Sequence, residues 1–142
     1  MADFKPRLET PPDLANVAVL VVDDDDDIRS MLVDVLDGCG AKVTGVSSAS
    51  EALEAVARDH PDIMLSDIGM PDEDGCSLIR RIRELPASMG GGIPAAAITA
   101  LHTRADRLRA LAAGFQMYLV KPVDLSVVIA AAVALVRMTV RA

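Results

Sequence analysis

The sequence predicts a single α/β domain in which a five-stranded parallel sheet is covered by helices on both faces. Two observations predict this architecture. Short apolar runs alternate along the chain with amphipathic segments of helical period, and the connections between them are short, as in right-handed βαβ units. In addition, 51% of the 142 residues are hydrophobic, which is enough for one well-buried core and too little chain for two ordinary domains.

The predicted strands share an apolar composition and turn or acidic residues at their ends. They are Val17–Val22, Ala41–Val46, Asp62–Ser66, Ala95–Thr99 and Met117–Val120. The first is a continuous apolar run that ends in acidic residues, which is typical of a central parallel strand buried on both faces.

The predicted helices carry apolar residues at three- and four-residue spacing. They run from about Ile28 to Leu36, over Glu51–Arg58, Ser77–Leu85 and Thr103–Ala113, and from near Asp124 onwards. Gly38 and Gly40 end the first helix, and Ser50 is the expected N-cap of the second. The loop Met70–Gly75 has the turn-forming residues expected before the third helix.

Composition excludes several classes of function. A formal charge of −7 and a pI near 4.7 argue against a nucleic-acid-binding surface, which needs clustered Lys and Arg. The longest apolar stretch, Val127–Val136, is too short to cross a bilayer, which takes about 20 residues. The two cysteines, Cys39 and Cys76, have no metal-ligand spacing and suit a reducing cytoplasm.

The N-terminal stretch is polar and proline-rich and lacks the pattern of a signal peptide. We therefore expect residues 1–16 to form a flexible leader or linker and residues 17–140 to form the folded domain. We expect the protein to be cytoplasmic.

Polar residues occur where four of the predicted strands end. They are Asp23 and Asp24 after the first strand, Asp67 after the third, Thr99 at the end of the fourth and Lys121 after the fifth. The carboxyl ends of parallel strands meet at one edge of a sheet, so we expect these side chains to converge. Clustered carboxylates repel one another unless they share a cation, and oxygen ligands without His or Cys favour Mg²⁺. A lysine and a hydroxyl beside such a site suit phosphoryl transfer to Asp67.

Four segments, VLVVDDDDDIR, DIMLSDIGMPDEDG, ITA and YLVKP, together resemble the signature set of two-component response-regulator receiver domains. The resemblance runs from about Val17 to Val136 and implies a flavodoxin-like, doubly wound sheet with strand order 2-1-3-4-5 and five helices.

The resemblance also implies roles for individual residues. Asp24 would bind Mg²⁺ directly, Asp23 largely through metal-bound water, and Gly69 through its backbone carbonyl, while Asp67 would be phosphorylated and would also contact the metal. Lys121 would pair with the phosphoryl group and precede a cis peptide bond. Two further residues, Thr99 and Tyr118, would form the hydroxyl and aromatic pair that rearranges on phosphorylation, and Ala100 would leave space for the phosphoryl group.

The implied partner is a histidine kinase or a histidine phosphotransfer protein. We expect a switch rather than an enzyme, since it would catalyse only its own aspartyl phosphorylation and slow dephosphorylation. Because the chain stops after the fifth helix, we expect it to signal through protein contacts. The sequence does not separate a stand-alone regulator from the receiver of a hybrid histidine kinase.

Two alternatives from other classes stay open. A phosphatase of the haloacid-dehalogenase type also uses an Asp nucleophile and Mg²⁺, but it expects a second Asp where this chain has Gly69. A receiver-shaped interaction module would signal without phosphate, although the complete set of acid, Thr and Lys residues argues against it. Turnover of a phosphate ester would favour the first alternative, and failure to take up phosphate would favour the second.

Two features depart from the usual receiver pattern. Gly69 and Leu101 are apolar positions that flank the expected route of the hydrolytic water, so we hypothesise that no polar side chain assists autodephosphorylation. The last helix, Ser126–Val140, is apolar almost all round, which suggests that a second copy of the chain or another partner covers its outer side.

Overall fold

The computed structural model describes residues 14–140. Strands and α-helices alternate through this part of the chain, and a short 3-10 helix, Ala87–Met89, precedes the fourth strand. The strands are β1 (Ala18–Val22), β2 (Lys42–Val46), β3 (Ile63–Ser66), β4 (Ala95–Thr99) and β5 (Met117–Val120). The helices are α1 (Asp26–Asp37), α2 (Ala49–Asp59), α3 (Gly75–Arg83), α4 (Arg104–Ala113) and α5 (Leu125–Val140).

All strand pairings are parallel, and the order in the sheet is β2-β1-β3-β4-β5. This confirms the predicted fold class and strand order. Val22, the last residue of β1, lies beside Val46 of β2 and Ser66 of β3. The residues that follow β1 and β3 therefore emerge at the same level of the carboxyl edge.

The core consists of two apolar layers, one on each face of the sheet. Leu20 and Val22 of β1 pack into the layer under α2, α3 and α4, whereas Val19 and Val21 pack into the layer under α1 and α5. All four side chains are buried. The continuous apolar run of β1 is thus explained, because period-two alternation sends successive side chains to opposite, equally buried faces.

Side-chain caps fix where the helices begin. Asp25, Asp74 and Thr103 each accept a hydrogen bond from a backbone N–H in the first turn of α1, α3 and α4 respectively. The predicted cap Ser50 is wrong. Ser48 caps α2, because its backbone is extended (φ −149°, ψ 163°) and its hydroxyl accepts a hydrogen bond from the N–H of Glu51 at 3.2 Å.

Leu14 belongs to the packed domain, although the sequence assigned it to the leader. Its side chain is fully buried in the layer under α1 and α5, and its N–H donates to the carbonyl of Cys39 at 3.3 Å. The folded part of the chain thus starts before Val17. Residues 1–13 of the predicted leader lie outside the described residues.

Truncating Leu14 to Ala is expected to lower the free energy of unfolding by about 2–5 kcal/mol, because it removes buried apolar volume and leaves a cavity. Urea unfolding followed by circular dichroism measures this. Leu108→Ala is the matched control, because Leu108 is 54% exposed and loses little packing when truncated. Equal destabilisation by the two variants would contradict the packing of Leu14.

Packing accounts for much of the apolar character of α5. Val128, Ala132 and Leu135 are fully buried, and the helix packs on α1, β3 and β4. On its outer side the large apolar side chains are Val127, 43% exposed, and Met138, 39% exposed. Among residues 14–140, no helix has the length and hydropathy to span a bilayer.

Candidate functional site

Asp23 and Asp67 are held at the carboxyl edge by the backbone of neighbouring strands. The N–H of Asp23 donates to the carbonyl of Val46 at 3.1 Å, and the N–H of Asp67 donates to the carbonyl of Val22 at 2.8 Å. These bonds continue the sheet by one residue on each strand. Both carboxylates therefore start from rigid backbone.

Each of these carboxylates has one oxygen fixed by backbone N–H groups. Oδ1 of Asp67 accepts from Ile68 at 2.7 Å and from Gly69 at 3.3 Å, and Oδ1 of Asp23 accepts from Asp25 at 3.0 Å. The second oxygens, Oδ2, are thereby directed to one shared cation. That cation is Lys121, whose Nζ lies 2.8 Å from Asp23 Oδ2 and 3.3 Å from Asp67 Oδ2.

The position of Lys121 depends on the end of β5. Its N–H donates to the carbonyl of Thr99 at 2.8 Å, and its peptide bond to Pro122 is cis, as the family resemblance implied. The ammonium group reaches the acids from the far side of the sheet edge, across β4. This explains how residues nearly 100 positions apart in sequence form one ion-pair cluster.

Burial sets the electrostatics of this cluster. Asp23 is 1% exposed and Asp67 is 8% exposed. Burial raises the pKa of Asp23, and the hydrogen bond from Lys121 opposes that rise. Burial acts to lower the pKa of Lys121, but its contacts with Asp23 and Asp67 outweigh burial, so the pKa is raised and the ammonium stays charged at neutral pH.

Asp24 completes an acidic triad. Carboxylate oxygens of Asp23, Asp24 and Asp67 all lie within 4.8 Å of one another. Asp24 is exposed, whereas the other two are buried, so the triad opens to solvent on the Asp24 side. Hard oxygen donors without nitrogen or sulfur fit Mg²⁺, which keeps several waters and needs few protein ligands. Gly69 is exposed beside the triad, and ligation by its carbonyl stays a prediction.

Thr99 and Tyr118 both contact the backbone of Leu101, a residue that the sequence singled out only for its apolar side chain. Thr99, which is 1% exposed, accepts a hydrogen bond from the N–H of Leu101 at 3.2 Å. Tyr118 donates from its hydroxyl to the carbonyl of Leu101 at 2.6 Å. Burial raises the pKa of Tyr118, so the phenol keeps its donor proton. Backbone groups of Leu101 thus connect the two side chains, and no side-chain motif could have revealed this.

Arg29 is a residue of the site that the sequence did not identify. Its guanidinium donates to the backbone carbonyl of Asp23 at 2.9 Å and forms an ion pair with Asp26 at 2.6 Å. Its position six residues after Asp23 was a possible signal, because it lies in the first turns of α1, close to the carboxyl end of β1. The contact to a carbonyl, however, is visible only in the structure.

Comparison with known proteins gives a consistent result. The family model described as the response regulator receiver domain matches residues 19–133. An uncharacterized 14.6 kDa protein of Leptolyngbya boryana is 48% identical over 111 residues, which cover 78% of this chain and 83% of that protein. The response regulator MprA of Mycobacterium leprae is 38% identical over 121 residues. The sensor histidine kinase RcsC of Escherichia coli is 35% identical over 113 residues.

The matched region is a part of the two larger relatives. It covers 85% of this chain and 51% of MprA, and 80% of this chain and 12% of RcsC. Among solved structures, the receiver domain of the Francisella response regulator 1452 has a TM-score of 0.79 at 27% identity. The superposition covers 87% of this chain and 99% of the Francisella chain. The signal receiver domain of a histidine kinase from Syntrophus aciditrophicus has a TM-score of 0.80 at 26% identity, with 89% and 94% covered.

Proposed function

This chain belongs to the response regulator receiver domain family of two-component systems, and on that premise we propose that it is phosphorylated on Asp67 in a Mg²⁺-dependent reaction. The observation that carries the proposal is the shared lysine. Lys121 lies against Asp67 and Asp23 while Asp24 completes a triad of carboxylates. A nucleophile, a cation-binding set and a fixed positive charge therefore occupy one sheet edge.

In the proposed reaction, a carboxylate oxygen of Asp67 attacks the phosphorus of a phosphohistidine. A new O–P bond forms, the P–N bond breaks, and the histidine nitrogen leaves with the electron pair and is then protonated. The ammonium of Lys121 stabilises the charge on the phosphoryl oxygens. When bound by Asp23, Asp24 and Asp67, Mg²⁺ would supply further neutralisation of that charge.

Thr99, Tyr118 and Leu101 would pass the change on. A phosphoryl group on Asp67 offers acceptor oxygens to the hydroxyl of Thr99, which now accepts from Leu101. Movement of Thr99 would release the Leu101 segment, whose carbonyl holds the Tyr118 hydroxyl. Phosphorylation would thus favour one of two pre-existing arrangements of this segment.

We assign a histidine kinase or a histidine phosphotransfer protein as the phosphate donor, with the protein acting in the cytoplasm. The relatives include both a response regulator and a sensor histidine kinase, which supports this partner class. Output would pass through protein contacts. Large apolar side chains are exposed on α4, β5 and α5, namely Leu108, Val120, Val127 and Met138, and we assign these to contact with a second copy of the chain or with a target. Sedimentation of the phosphorylated and unphosphorylated protein distinguishes a homodimer from a monomer that binds a different target.

The direct test uses purified protein, Mg²⁺ and acetyl phosphate as a small phosphodonor. The proposal predicts an acid-stable, hydroxylamine-sensitive phosphoryl group that peptide mapping places on Asp67. Repeated turnover of a phosphate ester would instead favour a phosphatase of the haloacid-dehalogenase type. No phosphate uptake from acetyl phosphate or from several histidine kinases would leave a receiver-shaped interaction module.

The phosphoryl group on Asp67 is expected to be long-lived, because neither Gly69 nor Leu101 offers a polar side chain to the hydrolytic water. A Cβ at Gly69 would have no neighbour within 4 Å, so Gly69→Gln should fold normally. The added amide can orient water, and we expect it to shorten the phosphoryl half-life about tenfold. Loss of the phosphorylated species is followed by intact mass after the phosphodonor is removed.

Gly92→Gln is the matched control for this change. Gly92 is also exposed with no neighbour within 4 Å of a Cβ, but it lies in the connection before β4 at the opposite edge of the sheet. An unchanged phosphoryl half-life in Gly69→Gln, or a half-life of only seconds in the wild type, would refute the claim that the phosphoryl group is long-lived because these positions lack a polar side chain.

A further inference from the structure

The Arg29 side chain holds the peptide group that joins two acidic residues of the site. Its Nη1 donates to the carbonyl oxygen of Asp23 at 2.9 Å, and that carbonyl belongs to the peptide between Asp23 and Asp24. The orientation of this peptide plane sets the direction in which the Asp24 side chain leaves the backbone. A guanidinium bound to the carbonyl thus constrains both acids at once.

A gap in β2 makes room for the Arg29 stem. Gly45 lies in the interior of β2, where glycine is unfavourable because it adds flexibility and has no side chain to pack. A Cβ at Gly45 would stand 3.3 Å from Cγ and 3.4 Å from Cδ of Arg29, and 3.0 Å from Cγ2 of Val33. The arginine side chain passes close over the strand, which explains why a residue without a Cβ is found at position 45.

The two acids differ in how they are held. Every polar group of Asp23 has a partner: Val46 for its N–H, Arg29 for its carbonyl, and Asp25 and Lys121 for its carboxylate. Asp24 is exposed, and within residues 14–140 its carboxylate accepts no hydrogen bond. Its placement in the triad therefore depends on the backbone. Side chains hold that backbone on both sides of Asp24, with Arg29 bound to the carbonyl of Asp23 and the Asp23 carboxylate bound to the N–H of Asp25.

We propose that Arg29 is a positioning residue for the Mg²⁺ site, acting through the Asp23–Asp24 peptide; this rests on the proposed function. The role has a distinctive sign. Arg29 is a cation beside a cation-binding site, so by Coulomb repulsion alone its removal would tighten Mg²⁺ binding. If Arg29 positions the ligands, its removal weakens binding, and loss of such supporting hydrogen bonds typically costs about 10–100-fold in metal affinity.

The test compares Mg²⁺ dissociation constants of the wild type, Arg29→Met and Gly45→Ala, obtained from the amide NMR shifts of the site during titration with MgCl₂. Arg29→Met keeps an apolar stem over Gly45 but removes the guanidinium. Gly45→Ala keeps the arginine but crowds its stem. We expect about tenfold weaker binding in Arg29→Met and a smaller weakening in Gly45→Ala.

Arg58→Met is the matched control, because Arg58 is exposed on α2 and pairs only with the adjacent Asp59 in the described chain. Its affinity should equal that of the wild type. Thermal unfolding in EDTA checks that each variant is folded. If Arg29→Met does not fold, the Mg²⁺ affinity of Gly45→Ala tests the positioning role of Arg29.

The outcomes separate the inference from the function on which it rests. Wild type that binds Mg²⁺ while Arg29→Met binds it equally or more tightly overturns the role of Arg29 alone. Wild type that does not bind Mg²⁺ at all overturns both the metal dependence of the proposed function and the role of Arg29. Weakening in Arg29→Met and Gly45→Ala, with none in Arg58→Met, supports the inference.

Discussion

Asp67→Asn is expected to abolish phosphate uptake from acetyl phosphate in the presence of Mg²⁺. Asparagine has nearly the same shape as aspartate, so the backbone bonds to Ile68 and Gly69 can persist. Its amide is a poor nucleophile and carries no charge for the metal or for Lys121. Phosphate-affinity electrophoresis of the two proteins measures the phosphorylated fraction, and the variant should show only background.

Asp72→Asn is the matched control for the Asp67 change. Asp72 lies in the same β3–α3 loop, is exposed, and has a positive φ of 71°, a conformation that asparagine adopts readily. It should be phosphorylated like the wild type. Equal phosphorylation of Asp67→Asn would move the acceptor to another residue and contradict the account.

Lys121→Met is expected to slow phosphorylation about 100-fold or more while Mg²⁺ binding is retained or strengthened. The methionine keeps the apolar stem but loses the ammonium that contacts Asp23 and Asp67. Removal of one preorganised donor to developing charge typically costs about 100–1,000-fold in rate. Loss of a positive charge beside the triad leaves the site more negative, which favours a divalent cation.

Two measurements check the Lys121 prediction: the initial rate of phosphorylation by intact mass and the Mg²⁺ affinity by NMR titration. Lys42→Met, an exposed change on β2, controls for the loss of one positive charge. A variant that is phosphorylated at the wild-type rate would show that Lys121 is structural. The opposite responses of Mg²⁺ affinity in Lys121→Met and Arg29→Met distinguish charge neutralisation from ligand positioning.

The fold was predictable because its strands have a recognisable sequence pattern. Buried parallel strands need apolar side chains on both faces, and β1 shows this as an unbroken run, while the acids directly after β1 and β3 mark the functional edge. Because the carboxyl ends of parallel strands meet at one edge of the sheet, the strand topology alone predicts that those acids and Lys121 converge. The structure confirms that Asp23, Asp67 and Lys121 meet there.

The remainder depended on contacts that leave no periodic signal. The burial of Leu14 comes from a turn before β1, outside any strand or helix pattern. Ser48 and Ser50 were equally good caps by residue type, and only backbone geometry selects Ser48. The contacts of Leu101 and Arg29 use backbone carbonyls and N–H groups, which every residue possesses, so their partners could not be read from residue identity.

Mg²⁺-dependent phosphorylation of Asp67 is tested most directly by the intact mass of the wild-type protein after incubation with acetyl phosphate, in parallel with Mg²⁺ and with EDTA. We expect one added phosphoryl group that requires Mg²⁺ and is removed by hydroxylamine, as is typical of an acyl phosphate on an aspartate. An unchanged mass at short times with Mg²⁺ present, or an added group that forms equally in EDTA, would contradict it.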